Sequence, residues 1–274
     1  MNFSALVTVY YKDNPNYLRD ALNSVLDQTR RPNQIVVVAD GPLTSELYLI
    51  LENFKNDNPD LIKLVYLPEN KGTGMAINTG LAECSYDLVA KIDSDDISFP
   101  TRFEKQLNVF RKQPELSFVG ACICEFQGDD KENIVSHRSL PEEHNDIVKF
   151  AKKRCPMNQP VTMYRKSAIL DCGGYNNFTF GEDYDLWVRA ILKGYRFYNI
   201  QEPLLYFRTN EDTIKKRGGW WYLKIDLRHH YDFYKMGFLS LPQFIYNSIT
   251  RIIVRLMPLK VRSFIYSKLL RSKK

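Results

Sequence analysis

Five short apolar, β-rich runs, at residues 5–11, 34–39, 62–67, 88–92 and 117–124, alternate with four stretches of helical periodicity at 15–28, 44–55, 74–83 and 100–111. Strands and helices alternating at this spacing predict a right-handed α/β arrangement, with helices flanking a mostly parallel central sheet. Ligands of such sheets bind at the carboxyl ends of the strands. Three of those ends are polar: Asp40 after IVVVA, NKGTG after LVYLPE, and DSDD after LVAKI. Beyond residue 125 the pattern loosens into a charged stretch, GDDKEN, with a short helical segment at 146–153. It then regains order in PVTMYRKSAIL, in GGY at 173–175 and in a helix opened by GEDYDLWVRAILKGY.

The last segment has a different pattern. Ile245, Ile249, Ile252, Ile253 and Leu256 recur at helical spacing, Asn247, Ser248, Arg251 and Arg255 occupy other faces, and Pro258 separates a second basic stretch, VRSFIYSKLLRSKK. The chain is therefore expected to comprise a nucleotide-binding half at about 1–125, an acceptor and catalytic half at 126–215, and a basic helical extension at 216–274.

Charge sharpens that division. The net charge is +6, yet residues 241–274 hold eight basic side chains and no acid, leaving 30 basic against 32 acidic residues elsewhere. A basic amphipathic helix pair suits an anionic membrane surface, where each cation near lipid contributes on the order of 1 kcal/mol. Packing on the protein's own core and a nucleic-acid patch are the alternatives. Aliphatic and aromatic residues interleaved with charge, and no nucleic-acid motif, favour the membrane.

With 274 residues, 44% of them hydrophobic, the chain can bury one substantial core. Five cysteines without zinc-ligand spacing are expected to be reduced, buried thiols of a cytosolic protein. MNFSALVTVYYKD runs straight into a strand pattern, so no signal peptide is expected, and no segment is long and apolar enough to span a bilayer. The expected location is the cytoplasm, peripheral on the inner face of the membrane.

The candidate chemistry lies in three acidic or glycine-rich segments. Asp93, Asp95 and Asp96 follow a buried strand at a spacing that lets carboxylates share one hard divalent cation, as a diphosphate requires, although acids there also end strands and cap helices. In NKGTGMAINTG, Gly72 and Gly74 form a turn whose backbone N–H groups can face an anion, and Ile77 breaks the dinucleotide fingerprint GxGxxG. In GEDYDLW, Glu182, Asp183 and Asp185 open a helix; they compensate its dipole, and one of them is placed to take the proton of an attacking hydroxyl. His137, His144, His229 and His230 show no metal-cage spacing and are assigned no chemistry.

Taken in order, TVYYKDNPNYLRDALNSVLDQT, VVVADGP, NKGTGMAINTG, AKIDSDDISFPTRFEKQL, MYRKSAILDCGGY and GEDYDLWVRAILKGY resemble glycosyltransferase family 2, with its GT-A fold, over roughly residues 3–210. The likeness is greatest to bacterial enzymes of the amylovoran and O-antigen type. The resemblance implies that Asp40 binds the nucleotide base, that Asp93 and Asp95 form the DxD motif with Asp95 the main metal ligand, and that Ser94, Thr8, Tyr10 and Gly72 line the nucleotide-sugar pocket. It makes Asp183 the catalytic base with Glu182 beside it, and Mn²⁺ or Mg²⁺ the cofactor. The absence of QxxRW argues for addition of one sugar at a time. Arg208 of LYFRTN is retained, whereas Asn210 stands where relatives carry a histidine.

The resemblance thus implies an inverting, metal-dependent transfer of galactose or glucose from its UDP-sugar to an undecaprenyl-diphosphate-linked N-acetylhexosamine by a β1,3 link. A metal-dependent nucleotidyltransferase and a non-catalytic sugar- or membrane-binding module are the competing readings, and nucleic acid is not an expected partner.

Overall fold

The structure, a computed structural model, describes residues 1–209 and 218–257. The expectations for Asn210 and for the basic stretch after Pro258 lie outside the described residues.

The first half follows the alternation read from the sequence. Strands β1 (Phe3–Val9), β2 (Gln34–Ala39), β3 (Ile62–Tyr66) and β4 (Leu88–Asp93) are separated by helices α1 (Pro15–Leu26), α2 (Ser45–Asp57) and α3 (Thr73–Glu83). They lie parallel in the order β3-β2-β1-β4, so the strand order reverses beside β1 and all four carboxyl ends face one edge. Strand β1 ends at Val9, not Tyr11, because the Tyr10 N–H turns to Asp13 Oδ2 at 3.0 Å and both tyrosines become exposed.

Beyond β4 the run expected at 117–124 forms a strand, joined by four that periodicity left unassigned, one parallel to it and the others antiparallel to their neighbours. The sheet continues through β8 (Met163–Arg165), β6 (Leu116–Gln127), β9 (Arg196–Thr209) and β5 (Ile97–Ser98), with β7 (Ile134–Arg138) on β6. Three-residue β8 runs antiparallel to both β4 and β6 and so joins the halves. Helix α4 (Arg102–Lys112) secures the junction. Its buried Gln106 donates to the carbonyls of Val119 and Val161, and its buried Arg102 donates to Lys91 O at 2.7 Å.

Alternation along β1 divides the core. Phe3, Ala5, Val7 and Val9 pack towards α1, α2 and α4, whereas Leu6 joins Val36, Val38 and the residues of α3 on the opposite face. Glycine is needed where α3 crosses β1, since a Cβ on Gly80 would lie 2.2 Å from Leu6 Cδ1 and 2.9 Å from Val38 Cγ2. The same layer continues into α5 (His144–Ala151), α6 (Lys166–Asp171) and α7 (Glu182–Leu192), where Trp187 of α7 meets Phe118 edge-on at 5.2 Å.

Two further helices follow, α8 (Gly219–Lys235) and α9 (Leu241–Leu256). Phe233 of α8, with Phe238 and Leu239, packs on Ala151, Tyr184 and Val188. Helix α9 reverses the usual polarity of a surface helix. It buries Asn247 and Arg255, which donate to Lys152 O and Asp226 Oδ2, and leaves Ile245, Ile249, Ile252, Ile253 and Leu256 between 40% and 53% exposed.

Candidate active site

The DSDD segment starts at the last residue of β4, whose Asp93 pairs in register with Thr8 of β1. Lys91, fully buried two residues earlier, donates to Asp93 Oδ1 at 2.7 Å and to Ile92 O. A lysine inside an apolar strand needs such a partner, because an unpaired buried ammonium costs several kcal/mol.

Carboxylate oxygens of Asp93, Asp95 and Asp96 lie within 4.8 Å of one another. Asp96 is 1% exposed; its Oδ1 accepts the Arg208 N–H at 2.9 Å, while its Oδ2 has no partner among the described residues. Asp95 keeps an exposed face, yet desolvation by the surrounding chain, then Asp93 and Asp13, push it up to about 6, and burial with Asp95 and Asp93 alongside raises Asp96 well above the usual carboxylate range. Hard oxygen ligands, mutual repulsion and an orphaned buried oxygen fit a divalent cation.

Two residues hold this loop. Asp13 accepts from Ser94 Oγ at 2.7 Å and from the Tyr10 N–H, tying the end of β1 to DSDD, and burial raises its pKa to about 6. Arg208, at the end of β9, donates through Nε to Asp95 O at 3.1 Å and through Nη1 to Gly128 O. Its guanidinium lies over the rings of Tyr17 and Phe126, 3.7 and 4.6 Å from their centroids.

Asp40 is turned inward. Its oxygens accept from the Lys71 and Gly72 N–H groups at 2.7 and 3.0 Å and from Asn70 Nδ2, so it locks the NKGTG turn in which Gly72 adopts φ 87°. That turn meets the second half of the chain, as a Cβ on Gly74 would lie 2.9 Å from Asn176 O and 3.7 Å from Glu182 Cβ.

The three acids that open α7 separate in role. Asp185 accepts from Asn176 and Arg189 and is buried, which makes it structural. Asp183 accepts the Tyr184 N–H on Oδ1 and the Cys155 thiol on Oδ2 at 3.3 Å. Burial, then Asp183 and Asp93, raise Glu182 to about 7. Glu182, Asp183 and Asp93 line one cavity of about 430 Å³. Asp95, Ser94, Asp13 and Tyr10 cluster beside Asp93 at the ends of β1 and β4, and the Asp40-locked turn flanks α7.

Sequence reasoning missed several participants. Lys91 was the most detectable, as a cation within an apolar strand. Asp13 and Cys155 carry no local signal, because each becomes relevant only through a partner 81 or 28 residues away. His229 and His230, to which spacing assigned no chemistry, are buried in the cavity wall.

The family profile of "Glycosyl transferase family 2" matches residues 4–173. The chain is 36% identical over 269 residues to an Escherichia coli UDP-Gal:alpha-D-GlcNAc-diphosphoundecaprenol beta-1,3-galactosyltransferase, covering 98% of this chain and 96% of that one. It is 35% identical to the amylovoran biosynthesis glycosyltransferase AmsE of Erwinia amylovora, covering 97% and 98%. Among solved structures, S. aureus TarS 1-349 in complex with UDP-GlcNAc superposes with a TM-score of 0.67 at 17% identity, over 97% of this chain and 81% of that one. Fold and relatives define a glycosyltransferase with the GT-A architecture. The chain belongs to glycosyl transferase family 2, among the enzymes of bacterial surface-polysaccharide synthesis.

Proposed function

We propose that the protein transfers a single hexose, galactose or glucose, from its UDP-sugar to an N-acetylhexosamine carried on undecaprenyl diphosphate, with inversion and a β1,3 link. The observation that carries this reading is the shared cavity, in which Asp93 of the first half faces Glu182 and Asp183 of the second. Donor and acceptor sides of one displacement must meet in such a place. The galactosyltransferase named above, matched over nearly its whole length, supports the choice of sugar and acceptor.

The roles follow from the environments. Asp93, Asp95 and Asp96 would hold Mn²⁺ or Mg²⁺. When bound, the cation supplies charge neutralisation to the departing diphosphate, worth several kcal/mol. Thr8, Tyr10, Ser94 and Gly72 line the nucleotide side, and Asp40 shapes its base end by holding the turn at 70–72. Asp183, with its carboxylate held by the Tyr184 N–H and the Cys155 thiol, takes the proton of the acceptor hydroxyl. Glu182, raised to about 7, is protonated in part at neutral pH and donates a hydrogen bond to a sugar hydroxyl. A single base and a single displacement invert the anomeric centre, whereas retention needs a different placement of acids.

The outward aliphatic face of α9 supports a position on the cytoplasmic face of the membrane, where such an acceptor resides. No described helix is long and apolar enough to cross a membrane. The reading is tested by measuring UDP release over a panel of nucleotide sugars, with a GlcNAc-diphosphate-lipid acceptor and Mn²⁺. Release dependent on both UDP-galactose or UDP-glucose and the acceptor is expected. Pyrophosphate release from a nucleoside triphosphate instead would contradict it.

A further inference from the structure

The cavity has an end that the transfer chemistry leaves unused. Arg154 directly precedes Cys155, whose thiol meets Asp183, and Arg251 and Arg255 enter the same cavity from α9. Arg251 Nη2 donates to Lys153 O at 2.7 Å, which fixes its guanidinium against the Arg154 turn. Arg255 Nε donates to Asp226 Oδ2 at 2.6 Å, and Arg251 Nε stands 4.0 Å from the same oxygen. His230 lines this wall at 1% exposure, and neither of its ring nitrogens has a partner among the described residues. A buried imidazole with two idle nitrogens is costly unless a ligand or water engages it. Guanidinium groups are planar donors suited to phosphate oxygens.

Helix α9 joins this wall to the outside. The side that carries Arg251 and Arg255 faces the cavity, and the side that carries Ile249, Ile252 and Ile253 faces outward. A substrate with a long hydrocarbon tail, a diphosphate and then a sugar changes polarity in the same order as one crosses this helix from outside to cavity.

We infer that Arg154, Arg251 and His230 form the subsite for the diphosphate of the lipid-linked acceptor, in the cavity that Asp183 also lines. This rests on the proposed transfer to a lipid-diphosphate acceptor and adds the place where that diphosphate is held. The guanidinium groups offset its charge beside the acids of α7, and the hydrocarbon leaves along the outer face of α9.

The test compares two acceptors with the full-length protein: GlcNAc α-linked through a diphosphate to a phenylundecyl chain, and GlcNAc joined to the same chain by a plain glycosidic oxygen. Arg154→Gln and Arg251→Gln are each expected to raise KM for the diphosphate acceptor at least tenfold, to change KM for the UDP-sugar less than twofold, and to shrink the preference over the phosphate-free acceptor in proportion. Farnesyl diphosphate is expected to inhibit the unaltered enzyme competitively against the acceptor, a measurement that holds even if a variant fails to fold. Folded variants with an unchanged preference, equal use of both acceptors by the unaltered enzyme, or inhibition that does not compete with the acceptor would each overturn the subsite while leaving sugar transfer intact. So would variants that lose affinity for phosphatidylglycerol vesicles with acceptor KM unchanged, because the anion would then be a membrane head group. Absence of transfer from every UDP-sugar to either acceptor would remove the proposed function and the subsite with it.

Discussion

The thiol of Cys155 donates a hydrogen bond to Oδ2 of Asp183 across 3.3 Å, while Oδ1 accepts the Tyr184 N–H at 2.8 Å. Two donors therefore fix the plane of the carboxylate assigned as the base. Burial pushes the Cys155 thiol well above its usual range, so it stays protonated and remains a donor. Cys155→Ala is expected to lower kcat about tenfold with donor KM unchanged, as loss of orientation does. Cys155→Ser, which keeps a donor, should recover most of that loss in the same steady-state assay.

Arg208 links DSDD to the far end of β9 through its backbone N–H on Asp96 and its side chain on Asp95 O. Arg208→Ala removes the side-chain bonds and the stacking on Tyr17 and Phe126, while the backbone bond persists. Donor affinity in the presence of Mn²⁺ should fall about tenfold, and stability by about 1 to 3 kcal/mol. Titration calorimetry with UDP and chemical denaturation read the two effects.

His230 makes stability depend on pH. Burial, then Arg251, lowers its pKa from 6.5 to about 4, with His229 and Arg255 acting the same way and Asp226 opposing. Between those values the unfolded chain binds a proton that the folded one excludes. Stability contributed by this site is thus complete above pH 6.5 and is lost as pH falls towards 4, by up to ~3 kcal/mol. The melting temperature of His230→Gln should decline less steeply than that of the unaltered protein between pH 7 and 5.

Ile249 and Ile253 are 53% and 52% exposed on α9. If they enter lipid, replacing both by serine removes about 1.5 to 3 kcal/mol each of apolar burial, and partition to anionic vesicles should fall more than tenfold in a sedimentation assay. Because they touch little of the protein, the melting temperature should stay within about 2 °C. A large fall in melting temperature with unchanged partition would mean that the face packs on protein instead.

The parallel half of the sheet was legible because each of its strands is an apolar run closed by a polar end, and each crossover is a helix with clear periodicity. β8 was not, since MYR is three residues long and earns its place by pairing with β4 and β6. The acids of the site were legible as residue types at strand and helix ends. Their partners were not, because Asp183 and Asp185 differ only in what folds against them: Cys155 for one, Arg189 and Asn176 for the other. The isoleucine stripe of α9 was plain in the sequence, but periodicity cannot say which face docks. Here the polar face does, because Asn247 and Arg251 find carbonyl partners at Lys152 and Lys153 and Arg255 finds the Asp226 carboxylate of α8.

Acids distant in the chain meet at one cavity, lined by Asp93 from the DSDD cluster and by Asp183, which is proposed to stand beside the incoming hydroxyl. The most direct test is Asp183→Asn, assayed for UDP-sugar binding and for product formation side by side. Donor affinity is expected to stay within about twofold of the unaltered enzyme while transfer falls by about 10³-fold or more, the upper range of what a positioned base supplies. An Asp183→Asn enzyme that binds donor and still transfers sugar at the original rate would contradict it.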